Sequence, residues 1–119
     1  MKFQFKQINK DVNQRKLQCD NLRNQFPDKI PIICEKDTKY DIKDTDKTRY
    51  LVPQELTISQ FNFMIRKRLK LSQEDAFFLL ANGKYSLTGD TIISDIYERY
   101  KDKEDGFLYI TYANDVFLG

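Results

Sequence analysis

Three prolines limit what the first half of this chain can fold into. Pro27 ends any preceding helix, because the residue before a proline is pushed out of helical angles. Pro31 lies in the apolar, β-branched run at residues 30–34, which predicts a buried strand. Since proline has no N–H to donate to a ladder, that strand needs a free edge near its start. Pro53 ends a second predicted strand at residues 49–53.

Hydrophobic periodicity predicts the other elements. Before Pro27, residues 3–8 predict a turn or short helix, and Asp11 begins a longer helix as its N-cap. The polar stretch at residues 35–48 predicts a loop or wide hairpin. After the second strand, the pattern predicts in order a helix that begins with a capping box at Thr57 and Gln60, a strand at 77–81, a tight turn at Asn82 and Gly83, a short helix at 93–100 and a strand at 107–112.

The predicted order after Pro27 is ββαβαβ, which is the element order of the ubiquitin roll. We therefore expect an α+β fold, with a ubiquitin-like β-grasp roll at residues 28–113 and a two-helix N-terminal extension at residues 1–27 packed on it. Residues 114–119 are expected to form a flexible C-terminal tail. A fold of this kind hosts many functions, so function has to be argued from particular residues.

The composition excludes much of the chemistry that enzymes use. The chain contains no histidine, which excludes Ser-His-Asp and Cys-His nucleophile systems and any zinc site that uses histidine. Its 4 glycines are too far apart for a phosphate-binding loop. For Cys19 and Cys34 we expect two buried free thiols, with a single disulfide as the alternative. The sequence thus predicts a protein that is not an enzyme and uses no metal or cofactor.

The net charge of +2 is unevenly distributed along the chain. Residues 1–29 contain seven basic and three acidic residues, whereas the remainder is slightly acidic. Such a segment can bind acidic peptides, anionic lipid, microtubules or nucleic acid, or it can be a solvated helix face. No apolar run reaches the length of a membrane span, and the N-terminus lacks a signal sequence, so we expect a cytosolic protein.

Gly119, at the C-terminus, is the residue that indicates a chemical role most specifically. A terminal glycine leaves its carboxylate without a neighbouring side chain. Such a carboxylate can enter a narrow activating site, be adenylated, pass to a cysteine as a thioester and be transferred to an amine. A branched terminal residue would clash at each transfer. Together with the ubiquitin-like element order, Gly119 predicts a modifier that is conjugated through its C-terminus.

The order and spacing of six sequence runs are distinctive. They are MKF at the start, FPDKIPIICEK at 26–36, DKTRYLVP at 46–53, ELTISQFNFMIRKRL at 55–69, EDAFF at 74–78 and EDGFLYITY at 104–112, with Gly119 at the end. Together these runs resemble the GABARAP-type modifiers of the autophagy-related protein 8 family. The resemblance spans the whole chain. It includes the two-helix extension at residues 1–27, here called the helical arm, which ubiquitin lacks.

The resemblance implies a ubiquitin-like modifier that is joined through Gly119 to phosphatidylethanolamine and acts in autophagosome formation and cargo selection. It implies as partners E1-like activating and E2-like conjugating enzymes, a delipidating cysteine protease, receptor and adaptor peptides and the phosphatidylethanolamine membrane, but no nucleic acid. The protein would occur in the cytosol and, when lipid-anchored, on the autophagosomal membrane. It would be a substrate and a tag rather than an enzyme.

The resemblance also implies a groove for receptor peptides with an aromatic-x-x-aliphatic motif, usually preceded by acidic residues. The peptide would add a strand to the edge of the strand at residues 49–53. The pocket for the aromatic residue would involve Leu22, Pro31, Ile33, Leu51 and Phe107. The pocket for the aliphatic residue would involve Tyr50, Val52, Pro53, Leu56, Phe61 and Met64. The acidic flank would contact Lys29, Lys47, Arg49 and Arg68.

The sequence departs from the family pattern at two informative places. Gln18 stands where an acidic residue is usual, and Leu118 stands where an aromatic residue usually precedes the terminal glycine.

Two alternatives to this function stay open. One is a modifier conjugated to a protein lysine. The other is a nonconjugated module that binds microtubules, acidic peptides, RNA or anionic membrane through the basic arm, and a steep salt dependence of binding would favour it.

Overall fold

The computed structural model describes residues 3–39 and 41–114. The described elements are, in chain order, the helices and strands α1 (Gln4–Ile8), α2 (Val12–Gln25), β1 (Lys29–Lys36), β2 (Arg49–Pro53), α3 (Ile58–Arg68), β3 (Phe78–Ala81), β4 (Tyr85–Leu87), α4 (Ile93–Tyr100) and β5 (Leu108–Ala113). None of these helices is long and apolar enough to cross a membrane.

The helix boundaries follow from local chemistry that the sequence displays. The carboxylate of Asp11 accepts a hydrogen bond from the N–H of Asn13 and so caps α2. Phe26, which precedes Pro27, has non-helical angles and ends this helix. At the start of α3, Thr57 and Gln60 form the predicted capping box. The helix starts and the proline stop are therefore confirmed.

The strands form one five-stranded sheet in the order β2-β1-β5-β3-β4. β1 pairs antiparallel with β2 and parallel with β5. The N–H of Cys34 donates a hydrogen bond to the carbonyl of Thr48, just before β2. Hydrogen-bonded and non-bonded positions alternate along an antiparallel pair, and Pro31 is three positions before Cys34. Pro31 is therefore at a non-bonded position, and its nitrogen points away from β2. On that side β5 begins to pair only at Ile32. The predicted free edge at the start of the strand is therefore confirmed.

The two faces of the sheet are covered by different helices. On one face α3 and α4 pack over the main core, which includes Ile32, Phe61 and Ile96. On the other face α1 and α2 pack over a smaller cluster that contains Cys19 and Tyr109, with Phe3 just before α1. A mixed sheet with helices placed in this way is the α+β β-grasp fold expected from the element order.

The structure differs from the sequence prediction at one strand and at some element ends. β4 was missed because it has only three residues, of which Tyr85 and Ser86 are exposed, so it shows no apolar run. The turn before it was predicted correctly, since Asn82 and Gly83 both have positive φ, as a tight hairpin turn requires. β1 extends two residues further than predicted, to Lys36. Both cysteines are buried and free, as expected.

Candidate functional site

β2 forms one edge of the described sheet, and its outer side is open for pairing. Tyr50 and Val52 lie opposite Ile32 and Ile30 in the register with β1. Cys34 and Thr48 are a hydrogen-bonded pair, and hydrogen-bonded positions recur at every second residue along the two strands. The backbone groups of Tyr50 and Val52 therefore also bond to β1. The N–H and C=O groups of Arg49 and Leu51 then point outward. An unpaired edge of this kind is a template for an added strand.

The residues predicted for the aromatic pocket lie on the α2 side of the sheet. Leu51 lies directly opposite Pro31, so their side chains share one face. Ile33 and Phe107 belong to the buried cluster on that face and are 0% exposed, while Leu22 of α2 is partly buried against the cluster. Leu22 and Leu51 therefore supply accessible apolar surface, and Ile33 and Phe107 lie beneath it.

The residues predicted for the aliphatic pocket lie on the α3 side. Tyr50 is only 4% exposed, and its ring meets that of Phe61 edge-on at 5.7 Å between centroids. Val52 and Phe61 are buried in the main core, with Leu56 partly buried against them. Pro53 and Met64 are exposed. The set thus has a core part and a surface part, and only the surface part is open to a ligand without rearrangement.

The predicted cations are spread around β2. Lys47 is exposed, with its Nζ 4.8 Å from the centre of the Tyr50 ring. Arg49 donates to the side-chain oxygen of Gln18 on α2 over 3.2 Å, so the unusual Gln18 lies beside the predicted groove. Arg68 lies 3.4 Å from the exposed carboxylate of Asp46. Lys29 lies opposite Pro53 at the other end of β2, with its Nζ 5.6 Å from the centre of the Phe26 ring.

A buried polar cluster joins the helical arm to the sheet. The carboxylate of Asp105 accepts hydrogen bonds from Nε of Arg15 at 2.8 Å, from the hydroxyl of Tyr109 at 2.5 Å and from the N–H of Phe107 at 2.9 Å. Burial and the bond to Asp105 raise the pKa of Tyr109 far above its usual value. Sequence reasoning missed this cluster, because Arg15 stood among many basic residues and nothing local linked it to Asp105.

The loop between α4 and β5 makes two further contacts with the arm. Lys6 lies 2.6 Å from Asp102, and the pKa of Asp102 is lowered because this bond and backbone donors outweigh the effect of burial. Gly106 packs against Cys19, whose pKa burial raises to about 11. Because Lys6 and Arg15 are paired with acids, part of the basic charge of the arm is neutralised within the molecule.

Residues 3–39 and 41–114 contain no cluster of histidine, cysteine or acidic side chains suited to a metal ion. Burial raises the pKa of the Cys34 thiol and of the Cys19 thiol, which keeps both in the unreactive protonated form. The predicted conjugation residue, Gly119, lies outside the described residues.

Comparisons with known proteins agree with the fold and the sequence pattern. A family model described as "Autophagy protein Atg8 ubiquitin like" matches residues 14–119. Autophagy-related protein 8e of Arabidopsis thaliana is 45% identical over 115 residues, which cover 97% of this chain and 92% of that protein. Autophagy-related protein 8 of Neosartorya fischeri is 48% identical over 105 residues, covering 88% of this chain and 87% of that protein.

A solved structure extends the similarity to the whole fold. The crystal structure of Trypanosoma brucei ATG8 matches with a TM-score of 0.87 and 36% sequence identity, covering 100% of both chains. The β-grasp sheet and the two N-terminal helices define a ubiquitin-like protein with a helical arm. The chain belongs to the Atg8 family of ubiquitin-like autophagy proteins.

Proposed function

We propose that the protein is a modifier whose Gly119 is joined to phosphatidylethanolamine, and that it then collects receptor and adaptor peptides during autophagosome formation. Membership of the Atg8 family supports the conjugation. The open outer edge of β2, between two apolar faces, carries the docking part of the proposal. The protein works in the cytosol and, when lipid-anchored, on the autophagosomal membrane.

The geometry of a strand explains the spacing of the peptide motif. A peptide that pairs with the outward backbone groups of Arg49 and Leu51 becomes a further strand of the sheet. Successive side chains of a strand point to opposite faces, so residues three apart also point to opposite faces. An aromatic residue then enters on the α2 side beside Leu22 and Leu51, and an aliphatic residue three positions later enters on the α3 side beside Met64.

The chemistry of conjugation belongs to partner enzymes. An E1-like enzyme adenylates the Gly119 carboxylate and passes it to a cysteine as a thioester, and an E2-like enzyme transfers the acyl group to the amine of phosphatidylethanolamine with loss of the thiol. A cysteine protease hydrolyses the resulting amide and releases the protein from the membrane. The protein itself is the acyl donor and performs no catalysis.

A peptide titration tests docking. Leu51→Ala combined with Met64→Ala removes accessible apolar surface from both sides of β2, and should weaken binding of an acidic aromatic-x-x-leucine peptide at least tenfold. These positions are preferable to Tyr50, which is buried against Phe61, so that its removal would cost about 3–5 kcal/mol of stability. Tyr85→Ala, at the opposite edge of the sheet, is the matched control. Unchanged affinity in the double variant would refute the groove.

Mass spectrometry of the C-terminal peptide from membranes of cells that make the protein tests conjugation. Phosphatidylethanolamine on the Gly119 carboxyl is the expected result. An isopeptide bond to a lysine would instead support the protein-conjugated alternative. A free carboxylate under starvation would support a nonconjugated binding module. The matched control is Gly119→Ala, which should leave the peptide unmodified.

A further inference from the structure

β4 forms the edge of the described sheet that lies opposite to β2. The N–H of Asn82, just after β3, donates to the carbonyl of Tyr109 on β5. Bonded positions alternate along an antiparallel strand, so the even-numbered residues of β3 bond to β5 and the odd-numbered ones bond to β4. In the register between β3 and β4, Tyr85 and Leu87 pair with odd-numbered residues. The N–H and C=O groups of Ser86 therefore point outward, away from the sheet.

Apolar surface lies beside this open edge, on the face that α4 covers. Leu87 belongs to the main core on that face and is 8% exposed. Tyr85 shares the face and is 50% exposed, and its ring stacks on that of Tyr100 of α4 at 5.1 Å between centroids. A cleft of about 470 Å³ lies between β4 and α4, with Leu87, Ile96 and Tyr100 among its walls. The edge thus combines unpaired backbone groups, an exposed aromatic ring and a cleft.

Two such edges fit each other about a two-fold axis. Among the three residues of β4, Ser86 has the outward backbone groups, so antiparallel pairing of two copies places it opposite Ser86 of the second copy. Tyr85 of each copy then lies opposite Leu87 of the other, and the two Tyr85 rings are diagonal neighbours within reach of one another. Each ring thereby covers Leu87 and enters the cleft of the other copy. One surface supplies both the ring and the cleft, which is what a two-fold interface requires.

Charge supports a second copy as the occupant of this edge. Lys84 and Asp90 flank β4 on its two sides, and both are exposed. In the antiparallel register Lys84 lies opposite Thr88 of the second copy, and so close to the turn that carries Asp90. The two Lys84 residues are separated by four steps along the paired strands, about 14 Å. An edge lysine ordinarily opposes the pairing of edges, but here each lysine meets an opposite charge rather than its own kind.

We propose that β4 is a self-association edge, to which a second copy of this chain adds antiparallel with its own β4. The two sheets then form one continuous sheet, and both β2 edges stay open at its ends. An edge of three residues buries less surface than a standard interface, so the dissociation constant should be on the order of 0.1 mM. The pairing does not depend on the proposed function. The presentation of two docking edges by one dimer does rest on it.

Cysteine crosslinking tests the register. Ser86→Cys brings two thiols to facing positions with Cα atoms about 5.5 Å apart, which suits a disulfide. The native cysteines are buried and free, so they do not compete. With diamide as the oxidant, the variant should form a covalent dimer on a non-reducing gel. Thr88→Cys is the matched control, because its two thiols would lie about 14 Å apart and should stay unlinked. Equal crosslinking of the two variants would overturn the register and with it the proposal.

Sedimentation equilibrium of the full chain tests the pairing itself. The unmodified protein should associate reversibly to a dimer as its concentration rises to about 0.5 mM. Tyr85→Ala removes the ring that covers Leu87 and should weaken association at least tenfold. Phe63→Ala removes an exposed aromatic ring of α3 and should leave association unchanged. A monomer at every concentration, or association that Phe63→Ala abolishes and Tyr85→Ala does not, would overturn the proposal.

A peptide titration of the Ser86→Cys disulfide dimer separates this inference from the docking function. An acidic aromatic-x-x-leucine peptide should bind each copy with the affinity that it shows for the monomer, because both β2 edges stay open. A second peptide bound per monomeric chain and lost in the dimer would assign the β4 edge to a peptide strand and overturn the inference. Failure of the peptide to bind monomer and dimer alike would overturn docking at β2, while crosslinking and sedimentation would still support the paired β4 edges.

Discussion

Nε of Arg15 lies 2.8 Å from the carboxylate of Asp105, although 90 positions separate them in the chain. Both side chains are almost fully buried, with exposures of 8% and 0%. Asp105 also accepts from Tyr109 on β5, so one carboxylate links the helical arm to the centre of the sheet. A second buried carboxylate also joins the arm to the roll in the described chain, because Glu35 of β1 accepts hydrogen bonds from the N–H groups of Gln4 and Phe5.

Asp105→Asn should destabilise the protein by about 3 kcal/mol, because it leaves the Arg15 guanidinium buried without a counter-charge. The change keeps the shape of the side chain, so lost packing contributes little. Urea unfolding followed by circular dichroism measures the effect. The control is Asp20→Asn, which removes the half-exposed partner of Lys16 and should cost less than about 0.5 kcal/mol. Equal effects of the two variants would contradict the structural role of the buried pair.

Gly106→Ala should cost more stability than Gly89→Ala. Both glycines have positive φ, at +86° and +81°, so alanine is strained at each by about 1 kcal/mol. At Gly106 the added Cβ would also lie 3.0 Å from Sγ of Cys19, whereas at Gly89 it would meet nothing within 4 Å. Chemical unfolding of both variants isolates the contact between loop and arm. If Gly89→Ala lowered the free energy of unfolding as much as Gly106→Ala or more, the close contact between Cys19 of α2 and the loop at Gly106 would be contradicted.

Stability should fall with rising pH above about 9. Burial, and next the charge of Asp105, raise the pKa of Cys19 from an ordinary value of 9.0 to about 11. The unfolded chain therefore releases this proton at a lower pH than the folded protein does. The contribution of the protonated Cys19 thiol to the free energy of unfolding is complete below pH 9 and is lost as pH rises towards 11. Burial likewise raises the pKa of Tyr97 to about 12, which extends the loss to higher pH. Unfolding free energies measured from about pH 7 to 10.5 check this, and a flat profile would contradict it.

Lys47→Glu should slow association with an acid-flanked peptide several-fold, with a smaller effect on dissociation. Lys47 is exposed beside β2, where charge acts on the encounter rather than on tight packing. The difference from the unmodified protein should shrink as salt is added. Stopped-flow measurements at two ionic strengths check this, with Lys84→Glu at the far sheet edge as the control. An unchanged association rate at low salt would show that the acidic flank passes elsewhere.

The sequence predicted the features that depend on local chemistry. The cap at Asp11, the capping box at Thr57 and the hairpin turn at Asn82 and Gly83 each depend on a few neighbouring residues, and each was found. The fold class followed from the order of such elements. The short β4 was missed because hydrogen bonds to β3, rather than an apolar pattern, make it a strand.

The site was only partly accessible to sequence reasoning. Ile33 and Phe107 were predicted as pocket residues, and their complete burial depends on how the arm packs, which no local pattern encodes. The pairing of Arg15 with Asp105 likewise joins distant segments. The residues proposed to contact a peptide stay predictions, because contact with a ligand is a property of the complex.

Amide hydrogen exchange at β2 tests most directly whether a peptide adds to the sheet as a strand. The N–H groups of Arg49 and Leu51 point outward from the edge, whereas those of Tyr50 and Val52 already bond to β1. Saturating peptide should therefore slow exchange at Leu51 by at least tenfold and leave Tyr50 and Val52 comparatively little changed. Binding without any protection of Leu51 would contradict strand addition at this edge.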